Sequence, residues 1–189
     1  MSHLVLLNAL YGGAEGHAML GRGTEMDDPR RPGRFNAGAV GAYRLNPAAS
    51  LLPVWDRTIP VEDKATWRDP LVAEAYVREA IASEPSSPTR NPPTFRSPSG
   101  ALEDSFYMAT GRQLWVAGSI TARVLIVRGG RSFWSRAEDV ARLERHLAQA
   151  ASVAVVSLPE ATHFIHLDRA EDGRDRLSAE VDVRLRSGS

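Results

Sequence analysis

Three short runs of apolar, mostly branched residues organise the chain, at residues 4 to 7 (LVLL), 123 to 127 (RVLIV) and 153 to 156 (VAVV). None alternates with polar positions, which is the pattern of strands buried on both faces of a helix-covered sheet. The first run stops at Asn8 and the second at Gly129 and Gly130. Between the second and third runs, Val140, Leu143 and Leu147 recur at helical spacing. Ser135 and Glu138 stand ahead of them in the spacing of a capping box, so residues 136 to 149 are predicted helical. A helical crossover between two buried strands makes them parallel. Thr162 and His163 then fall just past a strand's carboxyl end, where such sheets carry their chemistry.

The long stretch from residue 8 to 122 gives mixed signals. YGGAEG at residues 11 to 16 follows a strand, but no capped helix stands behind it, so phosphate binding is not expected. Residues 21 to 35 combine charges, glycines and prolines and read as a surface segment, with Asp27 and Asp28 solvated rather than metal-binding. Short helices are expected at residues 37 to 45 and 61 to 67. Asp69 and Pro70 open a helix that ends near Ser83, because aspartate caps and proline suits the first turn. Residues 83 to 98 hold five prolines and read as an extended loop. Ser99 starts a further helix, expected to reach about Val116 with Gly111 inside it. Leu177, Val181 and Leu185 predict a last helix from Arg174 to Arg186, and residues 187 to 189 read as a flexible end.

Composition narrows the function classes. With 189 residues and 43% apolar content the chain is long enough for one globular domain. Its 23 basic residues, all but Lys64 arginine, balance 23 acidic ones, so no global field favours nucleic acid or an anionic membrane. The absence of cysteine excludes disulfides, a thiolate nucleophile and cysteine-based zinc sites. MSHLVLLNAL is too short to span a membrane and lacks a signal peptide's basic start, so a cytoplasmic protein is expected. His163, His166 and Asp168 are metal-binding residue types. In an extended segment, however, residues 163 and 166 point to opposite faces, and no shared metal is expected. His3, His17 and His146 show no partner pattern and read as surface residues.

A strand ending in VLIVRGGR, a helix, a strand running into LPEATHF and a closing HLDRAE together resemble the last third of the α/β-hydrolase fold. LVLLNALYGG is similar to that family's sixth strand. The resemblance implies an α/β fold with a three-stranded parallel sheet, flanking helices and a helical cap, corresponding to the C-terminal half of a hydrolase. Residues 1–11 and 120–189 would form the partial core and 12–119 the cap. In the family the loop after the final strand carries the catalytic histidine, and His163 matches it. The family's acid falls on Ser132, and its alternative seat on Asn8; Glu138 and Asp139 are nearby acids. Trp55, Trp67, Phe95, Phe106, Tyr107 and Trp115 are candidates for an apolar pocket, and Trp55, Phe106, Tyr107 and Trp134 are expected to bind substrate.

No G-x-S-x-G occurs in the sequence. The implied function is the histidine- and cap-bearing half of a serine-type hydrolase that cleaves a small organic ester, lactone, thioester or similar bond. His163 would be its general base, without cofactor or metal. The expected partner is an N-terminal half carrying the nucleophile, or a second copy of this chain. A non-catalytic binding or interaction protein derived from a hydrolase is the alternative, and a truncated reading frame a further one.

Overall fold

The computed structural model describes residues 2–186, so the expected flexible end at residues 187 to 189 lies outside the described residues. In chain order the elements are β1 (His3–Leu7), α1 (Ala37–Val40), β2 (Tyr43–Pro47), α2 (Leu51–Asp56), α3 (Pro70–Ala82) and β3 (Thr94–Pro98). They continue with α4 (Gly100–Ala109), β4 (Arg123–Gly129), α5 (Ala137–His146), β5 (Ser152–Leu158) and α6 (Arg174–Arg186). The three predicted apolar runs form one parallel sheet in the order β1-β4-β5. Its middle strand is the core: Val124, Leu125, Ile126 and Val127 are each at most 1% exposed. Alternation divides them between two faces. Val124 and Ile126 pack with Leu143 and Leu147 at α5, and Leu125 and Val127 pack with Ile165 and with Leu177 of α6. Each such side chain contributes roughly 1.5 to 3 kcal/mol by leaving water.

The structure revises several local expectations. The capping box does not form: the residue before α5 is Arg136, and the Ser135 hydroxyl is buried without a partner. The Ser135 backbone N–H is taken by Ser132, whose Oγ accepts it together with Trp134 N ahead of the helix. Helix α4 stops at Ala109, because Gly111 takes φ +83°, a left-handed conformation that ends a helix. The helix expected at 37 to 45 ends at Val40 and gives way to a strand. The proline-rich segment contributes another, and β2 and β3 pair antiparallel. The region from 12 to 119 is therefore not purely helical. A single turn at Lys64–Thr66, with Asp63 accepting from Ala65 N, replaces the helix expected at 61 to 67.

Neither Asp27 nor Asp28 is simply solvated. Asp27 accepts from Gly23 N and Gly33 N, and Asp28 from Arg30 N and the Arg31 guanidinium. The Arg30 amide, followed by Arg31, holds the Asp28 carboxyl below the usual carboxylate range. The glycine loop after β1 is also occupied from within. Tyr11 N and Gly13 N donate to Asp139 Oδ1 at 3.0 and 2.7 Å, so the donors that resemble a phosphate cradle serve a carboxylate of the protein. Among the described residues no helix is long and apolar enough to cross a membrane.

Candidate functional site

The carboxyl ends of the three sheet strands converge on one group of loops. After β4 the chain turns at Gly129 and Gly130, and after β5 it turns through Pro159 to His163. These loops touch along their backbones: Gly130 N donates to Leu158 O (2.8 Å) and Arg131 N to Ala161 O (3.1 Å). A Cβ at Gly129 would stand 2.4 Å from Thr162 O, and one at Gly130 would stand 2.1 Å from Pro159 O. Only glycine permits so close an approach. That contact brings Ser132, three residues past β4, against His163, with Ser132 Oγ and His163 Nδ1 3.0 Å apart.

Asn8 completes the junction from the end of β1. Its amide oxygen accepts Gly129 N (2.8 Å) and its amide nitrogen donates to the carbonyl of His163 (2.9 Å). One side chain thereby ties all three strand ends together, a task that needs a donor and an acceptor on the same group and so suits an amide. Its φ of 47° is one that asparagine tolerates better than most residues. Both seats that the family resemblance assigns to an acid thus touch His163, Ser132 through the ring and Asn8 through the backbone.

His163 is half-buried among aromatic rings. Phe133 lies 4.7 Å away between centroids, Phe164 5.3 Å and Trp134 6.2 Å. Burial, reinforced by the neighbouring His166, pushes its pKa down from 6.5 to about 4. Among the described residues no carboxylate contacts the ring to oppose that shift. Its Nε2 makes no hydrogen bond within the described residues and is not sealed from solvent. At neutral pH the ring is uncharged.

The proposed substrate-binding aromatics separate into two places. Trp134 borders His163, and Trp55 reaches it indirectly, stacking on Phe164 at 5.4 Å. Phe106 and Tyr107 belong to a second cluster, where Phe106 packs on Phe35 (6.0 Å) and Arg112 covers the Tyr107 ring (4.3 Å). Trp134 packs against that cluster too and so bridges the pair to the site. A cavity of about 430 Å³ opens beside Phe133, lined also by Met19, Arg57, Thr58, Gly130 and Arg131. A larger one of about 650 Å³ lies between Met19, Met26, Val40 and Leu102.

Residues 163 to 167 form turns, not the extended segment expected from the sequence. Asp168 points inward and is fully buried. It accepts from Trp55 Nε1 (2.9 Å) and from the Thr162 hydroxyl (2.8 Å) and backbone N–H (3.3 Å), fastening α2 to the histidine loop. Burial raises its pKa, and these hydrogen bonds work against the rise. Among the described residues no group of three His, Cys, Asp or Glu could hold a metal ion. Asp168→Asn keeps an acceptor for Trp55 but turns an amide N–H toward Thr162. It is expected to lower the unfolding free energy by about 1 to 2 kcal/mol, read as a shift in urea midpoint. A midpoint matching that of the parent would show the fastening to be idle.

All three histidines expected at the surface have hydrogen-bond partners. His17 is 5% exposed, its Nε2 donating to Trp134 O (3.1 Å) and its Nδ1 accepting Met19 N (3.2 Å). It therefore buttresses the loop that carries Ser132, and burial lowers its pKa. His146 Nδ1 lies 3.2 Å from the buried Tyr11 hydroxyl, which accepts from Gln113 Nε2 and Ala117 N and so donates to the imidazole. His3 Nδ1 meets Ser2 Oγ at 3.1 Å. Of the two acids near the expected seat, Asp139 is committed to the glycine loop and to Arg136 (2.8 Å), and Glu138 is exposed. Phe133 and Phe164 had one signal in the sequence, adjacency to the two site residues, whereas nothing marked His17. In comparison with known proteins, the chain matches no family model, no curated protein and no solved structure.

Proposed function

We propose that this chain is the histidine-bearing half of a serine-type hydrolase of the α/β-hydrolase kind, acting on a small ester, lactone, thioester or similar bond. The observation that carries the reading is the 3.0 Å contact between Ser132 Oγ and His163 Nδ1. It joins the loop after one parallel strand to the loop after the next, the two places where that fold keeps its acid and its histidine. Asn8 at the end of β1 adds the third matching position. His163 would accept the nucleophile's proton and return it to the leaving group, with the nucleophile and oxyanion donors supplied by residues outside these 189. The outer edge of β1, unpaired among the described residues with Val5 38% exposed, is where a complementing strand would join.

The purified chain by itself is expected to show no turnover of generic acyl esters above background. Robust activity that disappears with His163→Ala, in a preparation free of any partner, would overturn the reading, because these residues would then supply their own nucleophile. A second reading is a non-catalytic small-molecule-binding protein derived from such a hydrolase. It is favoured by the absence, among the described residues, of a carboxylate on the His163 ring. A base of pKa about 4 is free to act at neutral pH but weak.

A further inference from the structure

A serine hydroxyl has one proton to give and two lone pairs to receive with. At Ser132 both acceptor sites are taken, by Trp134 N at 3.3 Å and Ser135 N at 3.2 Å. The remaining neighbour at hydrogen-bond distance is His163 Nδ1 at 3.0 Å, so the hydroxyl proton points to it. Nδ1 must then present its lone pair, and in a neutral imidazole the ring proton resides on Nε2. The loop geometry behind this is secured twice, by His17 donating to Trp134 O and by Arg128 Nε donating to Ser135 O at 3.1 Å.

We propose that Ser132 is a positioning residue that locks His163 as its Nε2–H tautomer, so that the site offers an incoming ligand a hydrogen-bond donor and not a base. An aspartate at the same position would do the reverse. It would accept Nδ1–H, leaving the Nε2 lone pair free for a nucleophile's proton. Imposing the wrong tautomer on a serine-hydrolase histidine costs on the order of 10⁴-fold in rate. The ligand suited to the locked form is an uncharged molecule with a carbonyl or ether oxygen, seated on the Phe133, Trp134 and Phe164 rings with that oxygen at Nε2. The tautomer follows from hydrogen bonding alone; its meaning as a silenced base rests on the second reading, a non-catalytic binding protein derived from a hydrolase.

Long-range proton–nitrogen NMR correlations on the histidine-labelled chain at neutral pH test the lock, with His163→Gln identifying the signal. The expected spectrum shows an unprotonated Nδ1 and a protonated Nε2 in the parent, exchanging roles in Ser132→Asp. A proton on Nδ1 in the parent overturns the proposal, and so does a Ser132→Asp spectrum that keeps the parental pattern. Should Ser132→Asp fail to fold, the parent spectrum decides alone. Ester turnover is measured separately, so the hydrolase reading can fail while the tautomer stands.

Discussion

Asp139→Ala is expected to lower the unfolding free energy by about 3 to 5 kcal/mol, the usual cost of removing one partner from a buried ion pair. Asp139 is 0% exposed and receives three kinds of donor: Arg136 Nε at 2.8 Å, Tyr11 N and Gly13 N. Its loss leaves a half-buried guanidinium and two backbone N–H groups without their acceptor. The damage reaches the first turn of the intervening segment, because Arg136 also donates to Ala14 O and Glu15 O. Denaturant midpoints would measure the loss, and hydrogen exchange at Tyr11 and Gly13 should rise with it. A change below about 1 kcal/mol would mean that water replaces the carboxylate freely, and the burial described for Asp139 would be wrong.

His163 should make the protein acid-sensitive in a defined window. Its folded-state pKa of about 4 lies below the unfolded value of 6.5, so above pH 6.5 neither state is protonated and the contribution is complete. As pH falls below 6.5 the unfolded chain binds the proton first, and stability declines until the folded state also binds it near pH 4. A gap of that size corresponds to about 3 kcal/mol. His17, also buried and lowered, adds loss of the same sign. Urea midpoints of the parent and of His163→Gln at pH 7 and pH 4.5 give the test. The parent should lose distinctly more stability than the variant, and equal losses would refute the assignment.

The sheet was legible because its middle strand is buried on both faces and its two neighbours repeat the same continuous apolar pattern, although they are only partly covered, with Val5 38% and Val155 39% exposed. Helix α6 was legible because Leu177, Val181 and Leu185 keep one face over its whole length. By contrast β2 and β3 meet as a two-stranded ribbon near the surface, with Tyr43 and Leu45 about half exposed. Little burial constrains such residues, and the prolines at 92, 93 and 98 disguise the second strand as a loop. The capping box misled because spacing records what Ser135 and Glu138 could do, not that Ser132 had already taken Ser135 N. At the site, His163 and Ser132 were found through their place after strands. Asn8 was recognised only as a seat lacking an acid; its role as a clamp depends on a contact with residue 163. Nor could spacing separate Trp134, which borders His163, from Phe106, which sits in the other cluster.

The register of the sheet also bears on the order in which it assembles. Val124 pairs with Val153 across a short helical connection, whereas Leu4 pairs with Val124 across about four times as much chain. Two doublings of loop length add roughly 1.2 kcal/mol of closure entropy, which opposes the second pairing before any contact repays it. The β4-α5-β5 unit is therefore the natural nucleus, and β1 joins late. Asn8 is carried on β1, so the clamp on the histidine loop closes only when the last strand docks. Ser132 and His163, both contributed by the nucleus, can meet before Asn8 fixes them in place.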